Sequence, residues 1–313
     1  MPLNNTHIAR FTALINALRL RQWTKNGAVF IGILFSQHLF DWLALERAII
    51  AFVTFCFASS SIYLLNDLLD LEKDRQHPVK RLRPLAAGRL PASWAIVTMG
   101  MLVLASVGMI LVLYTLPFPR QPDIFASLGG ANLLFAIIIA SYLLLMVAYG
   151  LRLKHVVLID VFIIAGGFVL RIMAGAVAIP VFISPWLYLV TIFLALFLAL
   201  SKRRHELTLL QGQASSHRQI LKEYSIPLLD QLITITVTAT LIAYSLYTIQ
   251  GPTGNHRLVV TIPLVLYGIF RYLYLVYMRG QGGSPEEVLL RDRHMLGTVL
   301  LCTILIIGIL YVM

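Results

Sequence analysis

The chain runs to 313 residues, of which 59% are hydrophobic and only 12% charged, and its mean hydropathy is +0.83. A water-soluble domain of ordinary composition carries about a quarter of its residues as charges, so that class is excluded and a lipid environment is required. Neither a disulfide framework nor nucleic-acid binding finds support: Cys56 and Cys302 each sit inside an apolar run, and the net charge of +11 comes without a nucleic-acid motif or aromatic platform.

The first 25 residues are basic, and from 8 to 23 apolar and basic residues alternate at helical spacing, the pattern of a helix lying on a membrane surface. No small-residue cleavage site follows, so no cleaved signal is expected. Nine apolar runs come next, at 26–40, 43–65, 94–116, 131–150, 156–179, 185–201, 231–249, 258–278 and 295–313, and the first is the shortest. A hydrocarbon core takes roughly 20 apolar residues per helix. The predicted fold is therefore an all-α, polytopic transmembrane bundle of about nine spans. It forms one integral membrane domain over 1–313, with a cytoplasmic interfacial helix in 1–25 and the bundle in 26–313.

Twenty of the 25 Lys and Arg fall in connections that alternate onto one side, and only Arg47, Arg120 and Arg257 fall on the other. Positive loops stay in the cytoplasm, which predicts a cytoplasmic N-terminus, an external C-terminus and a site on the cytoplasmic face of the cell membrane. The same asymmetry explains the net charge. It makes anionic headgroups or a phosphorylated ligand more natural partners than nucleic acid.

The second apolar run ends in Asn66-Asp67-Leu-Leu-Asp70-Leu-Glu-Lys-Asp74. On a helix Asn66, Asp70 and Asp74 fall at i, i+4 and i+8, and Asp67 joins them at i+3 and i+7 to Asp70 and Asp74. One face presents a column of oxygens whose like charges repel unless a cation is present. Hard cations such as Mg²⁺ take carboxylate oxygens and bridge them to phosphates. Directly after come Lys80, Arg81, Arg83 and Arg89 in a loop fixed by Pro and Gly, and such arginines grip phosphate in bidentate fashion. Acids beside bases predict a metal–pyrophosphate site.

A second cluster joins the fourth and fifth runs, with Tyr149, Arg152, Lys154 and Asp160. Asp160 lies within apolar sequence, where an ionisable residue reads as functional, and Arg171, three turns on, shares its face and is expected to pair with it or bind an anion. Lys202 and Arg203 cap the sixth run, and Lys25 sits beside Trp23 where the first begins. Arg271-Tyr272 and the pair Arg291 and Arg293 are secondary candidates. No nucleophile elbow, zinc-ligand spacing or Walker loop is visible. A transporter predicts broken helices paired in the two halves, whereas the Gly and Pro interruptions cluster in one.

The NDxxDxxxD motif at the end of a second span in a nine-span chain resembles the UbiA superfamily of membrane transferases. The segments LRQWTKN, SSSIYLLNDLLDLEKDRQHPVKRLRPLAAG, YGLRLKHVVLIDVF, GFVLRIMAGA and ALFLALSKRRHEL are similar to its decaprenyl-phosphate phosphoribosyltransferase branch. Aromatic prenyltransferases of the superfamily carry a second aspartate-rich motif where this chain has Tyr149, Lys154 and Asp160. The resemblance implies phosphoribosyl pyrophosphate as donor, a polyprenyl phosphate as acceptor and Mg²⁺ as cofactor, and a homo-oligomer is compatible with it. It further implies that Asn66, Asp67, Asp70 and Asp74 hold the metal. Asp160 would serve the sugar or a second cation, and Lys25, Lys80, Arg81, Arg83, Arg152, Lys154, Lys202 and Arg203 would form the pool that grips phosphates.

Overall fold

Within lipid each backbone polar group must be satisfied internally, so long apolar runs become helices. A computed structural model describes residues 3–117, 121–210, 219–251 and 256–312, and among these all regular structure is helical. In chain order the helices are α1 (Leu3–Leu18), a 3₁₀ helix (Leu20–Phe30), α2 (Ile31–Phe35), α3 (Trp42–Leu69), α4 (Leu71–Gln76), α5 (Ala92–Thr115), α6 (Asp123–Ser127) and α7 (Ala131–Leu151). After these follow α8 (Ile159–Ala178), α9 (Pro185–Leu210), α10 (Ile226–Gln250), α11 (Ile262–Met278), α12 (Pro285–Arg291) and α13 (Arg293–Tyr311), with short 3₁₀ turns between several of them.

Eight of the helical segments are long and apolar enough to cross a membrane. The first apolar run crosses differently from the rest. It begins at Leu20 rather than 26, after Arg19 takes a left-handed backbone (φ 54°) that breaks it from α1. Its 11 residues of 3₁₀ helix rise about 2.0 Å each and the five of α2 about 1.5 Å each, for roughly 30 Å in total, the thickness of a hydrocarbon core. Its contacts march down α3, from Arg19 on Asp67, through Asn26 Nδ2 on Ser59 Oγ at 3.1 Å, to Ile33 packed with Ala44 and Ala48. With the eight long helices, this composite segment gives nine stretches of spanning length among the described residues.

Small residues allow that composite span to lie deep in the bundle. A Cβ placed on Gly175 of α8 would stand 1.9 Å from the Val29 carbonyl oxygen, and one on Gly32 would stand 3.0 Å from the Ala176 nitrogen. Backbones meet there without side chains between them, the packing that membrane helices favour. At the end of the bundle that carries the acidic motif, α1 lays Ala13 and Ala17 on Leu64, Leu85, Leu90 and Ala95. The N-terminal helix is thus docked on the ends of α3 and α5.

At the opposite end Arg47, expected only as a loop charge, is fully buried. Its guanidinium donates to the carbonyls of Ala178 (2.5 Å), Leu113 (3.2 Å) and Leu116 (3.1 Å) and to Asn132 Oδ1 (2.6 Å). A cation placed on carbonyls that end α5 and α8 answers groups which have no helical partner. Arg120 lies outside the described residues.

Candidate active site

The acidic motif straddles a bend. Asn66 and Asp67 occupy the last turn of α3, Asp70 caps it with φ −95° and ψ 10°, and Asp74 lies in α4. The uninterrupted helical column expected from spacing is therefore bent at Asp70, although the amides of Asp70 and Asp74 still donate to the carbonyls of Asn66 (3.0 Å) and Asp70 (2.8 Å). The bend tucks Asp67 and Asp74 inward, both almost wholly buried. Gly150 of α7 makes room for Asn66, since a Cβ there would stand 2.5 Å from Asn66 Oδ1.

Cations answer the acids one by one. Arg83 Nη1 donates to Asp74 Oδ2 at 2.5 Å and to Asp67 Oδ1 at 3.2 Å, while Arg19 pairs with the same Asp67 oxygen. Lys154, itself buried, places Nζ 2.7 and 3.0 Å from the two oxygens of Asp70. Among the described residues no three His, Cys, Asp or Glu side chains converge on one metal position. A guanidinium bridges Asp67 and Asp74 instead, because like charges this close need a positive neighbour. The donor set still suits a hard divalent ion: carboxylate and amide oxygens gather on one turn, and the buried Asp67 Oδ2 accepts nothing.

Asp160 departs from its expected surroundings. It is fully buried, and its oxygens accept from Arg203 Nε at 2.6 Å and from the Tyr224 hydroxyl at 2.8 Å. Arg203 also pairs with Glu206 and donates from Nη2 to the Tyr149 hydroxyl at 3.3 Å. The Tyr224 hydroxyl accepts the Leu158 amide at 2.8 Å, holding that residue in a left-handed backbone (φ 66°) just before α8. Burial pushes the Tyr224 phenol up to about 12, so it remains a proton donor to Asp160 at neutral pH.

The expected pairing of Asp160 with Arg171 is corrected: Arg171 turns to the other side of α8. Its Nε donates to Asn26 Oδ1 (2.8 Å), Nη2 to the Tyr142 hydroxyl (2.9 Å) and Nη1 to the Gly167 carbonyl (2.7 Å). Its charge also lies over the rings of Tyr142 (4.8 Å) and Phe55 (5.5 Å). Neutral oxygens and aromatic faces, rather than an acid, stabilise a cation within the membrane.

The remaining candidates sort by depth. Lys25 faces inward and meets Glu286 Oε1 of α12 at 3.3 Å. Lys80 and Lys202 are half-buried, and Arg81 and Arg152 are exposed at the loop surface. Arg271 pairs with Asp292 at 2.7 Å, outside the acidic centre, while the exposed Arg291 lies 3.7 Å from Glu287. Sequence reading missed Arg19, Glu286, Gln22 and Tyr224. Arg19 stands just before the quoted LRQWTKN, but nothing local to Glu286 or Tyr224 marks them, because their partners lie far along the chain.

The profile described as the UbiA prenyltransferase family matches residues 27–286. The chain belongs to this family. Its relatives include the decaprenyl-phosphate phosphoribosyltransferase of Mycolicibacterium smegmatis, 34% identical over 90% of this chain and 87% of that protein. The protein of the same name from Corynebacterium glutamicum is 34% identical over 96% of this chain and 87% of its own length. The fold matches a UbiA homologue of Archaeoglobus fulgidus solved with GPP and Mg²⁺, at a TM-score of 0.69 and 15% identity, covering 95% of this chain and 99% of that one. Within this bundle, the acidic turn, its cations and Lys154 form one polar cluster at one end of the spans.

Proposed function

We propose that this UbiA-family protein transfers a 5-phosphoribosyl group from phosphoribosyl pyrophosphate to a polyprenyl phosphate. The products are polyprenylphosphoryl-5-phosphoribose and pyrophosphate. The observation that carries this reading is the buried Lys154 ammonium on Asp70, a cation standing where an aromatic prenyltransferase is expected to carry further acid. The similarity to two phosphoribosyltransferases along nearly the whole chain supports it.

Asn66, Asp67, Asp70 and Asp74 would hold Mg²⁺, which supplies positive charge to the leaving pyrophosphate. Arg19, Arg83 and Lys154, now on those carboxylates, are placed to turn their donors onto the phosphates of the bound donor. The bond from ribose C1 to the pyrophosphate oxygen breaks, and a bond from C1 to an oxygen of the lipid phosphate forms. The lipid phosphate is already anionic at neutral pH, so no strong base is required and the residues act by positioning and electrostatics. Asp160 and Tyr224 hold Arg203 and with it the Tyr149 hydroxyl. The bias of Lys and Arg to one set of loops supports a site on the cytoplasmic side of the cell membrane, with the N-terminus inside.

The test offers the purified protein two donors in lipid nanodiscs, phosphoribosyl pyrophosphate and a polyprenyl diphosphate, with a polyprenyl phosphate and an aromatic acid as acceptors. The expected result is a sugar-phosphate lipid and no prenylated aromatic. Prenylated aromatic product without the sugar lipid would overturn the reading.

A further inference from the structure

Two polar atoms buried on α11 and α12 have no partner in the protein, the Tyr272 hydroxyl and Glu286 Oε2. Buried oxygens without a partner are few in a native structure, and each calls for a reason. Glu286 comes from α12, a two-turn helix in the connection between α11 and α13, and its other oxygen accepts from Gln22 Nε2 at 2.8 Å and faces Lys25 Nζ at 3.3 Å. Those two residues belong to the composite first span, so α12 is fastened across its entrance. Tyr272 is held from α11, its ring edge-on to Phe197 at 5.3 Å.

Gln22, which holds Glu286, stands one 3₁₀ turn after Arg19, the partner of Asp67, and Tyr272 packs in one core with Val288, two residues beyond Glu286 on α12. Tyr63 sits one helical turn before Asp67 on α3, beneath Arg19 at 5.0 Å, and feels the charges of Arg19, Arg171 and Glu286 together. The α11–α12 side of the bundle thus holds one carboxylate oxygen and one phenol, both buried and without a partner.

We propose that Glu286 and Tyr272 bind the ribose hydroxyls of the donor and select a sugar over an isoprenoid at this site. The inference rests on the phosphoribosyl donor reading. A carboxylate accepts from a sugar hydroxyl in a charge-assisted bond, the way acidic residues hold ribose in dinucleotide sites. The phenol both donates and accepts, so it suits the neighbouring hydroxyl of a diol. An isoprenoid chain has no hydroxyl to offer, and docking it would leave both oxygens desolvated and unpaired. Sites that hydrogen-bond a substrate hydroxyl reject analogues lacking it far more strongly than apolar pockets reject a misfit.

The test measures donor binding by calorimetry in nanodiscs, so that a variant without turnover still reports. Wild type, Glu286→Gln and Tyr272→Phe are titrated with phosphoribosyl pyrophosphate and with its 2-deoxy and 3-deoxy analogues. Wild type is expected to bind at least one deoxy analogue roughly 10- to 100-fold more weakly than the parent. In the corresponding variant that ratio collapses towards one, because the missing hydroxyl no longer has a partner to lose. If both variants weaken all three ligands by the same factor, Glu286 serves only to tether Lys25 and the inference is overturned. If wild type binds none of the three, the donor reading itself fails, an outcome distinct from uniform weakening.

Discussion

Arg83 stands between Asp67 and Asp74 as a counter-ion, and its chemistry defines what each aspartate can do. Removing one acid leaves a guanidinium with half its partners and removes an oxygen from the proposed metal set. Asp67→Asn and Asp74→Asn are expected to lower turnover by about 10²- to 10³-fold with little change in thermal stability. A steady-state assay with a parallel unfolding scan checks this, and equal losses in both would point to a structural role. Asp160 behaves differently because its pair with Arg203 is sealed from water. Removing one member of such a pair leaves an uncompensated charge and costs about 3–5 kcal/mol, so Asp160→Asn should lower the unfolding temperature first and activity as a consequence.

Glu286 carries a pH signature at the same scale. Burial raises its pKa, but the Lys25 charge and hydrogen bonds from Gln22 and Lys25 outweigh that effect, holding the carboxyl below its ordinary 4.5. A carboxyl lowered on folding contributes stability above its unfolded value and loses it as pH falls through the folded one. The difference in unfolding temperature between wild type and Glu286→Gln should therefore be full at neutral pH and shrink as pH drops from about 5 to 3. A difference that stays constant over that range would contradict the ion pair.

Among the elements, the eight continuous spans were legible because each carries enough apolar residues to satisfy its backbone in lipid. The composite first span was less so. Its apolar stretch is short because part of it is drawn out as 3₁₀ helix, a geometry that leaves no periodic mark of its own, and its polar residues Gln22, Lys25 and Asn26 bond inward to Glu286, Ser59 and Arg171. Acid spacing in α3 announced the site, yet not the bend at Asp70. The partners were hidden for a simple reason: Arg19 reaches Asp67 across 48 residues and Gln22 reaches Glu286 across 264. Two glycines test the packing account. Gly175→Val would drive a side chain into the Val29 carbonyl and should prevent stable folding, beyond the ~1–3 kcal/mol of ordinary overpacking. Gly150→Ala presses on the Asn66 amide instead, so activity should fall more than stability does. The reverse order for Gly150→Ala would remove Asn66 from the site.

The whole molecule separates two kinds of partnered cation along the bundle axis. At the acidic end Arg19, Arg83 and Lys154 rest on carboxylates that a metal and a phosphorylated donor can take over, so they can change partner. At the other end Arg47 rests on helix carbonyls, and it has no reason to move. The central claim is that the first group serves metal-supported phosphoribosyl transfer at the Asp67 turn. It is tested most directly by mass spectrometry of lipid extracted after the purified protein is given Mg²⁺, phosphoribosyl pyrophosphate and a polyprenyl phosphate. The account predicts polyprenylphosphoryl-5-phosphoribose from wild type, its disappearance with a chelator and its near-disappearance in Asp67→Asn. Undiminished product from Asp67→Asn, or from wild type stripped of divalent metal, would contradict it.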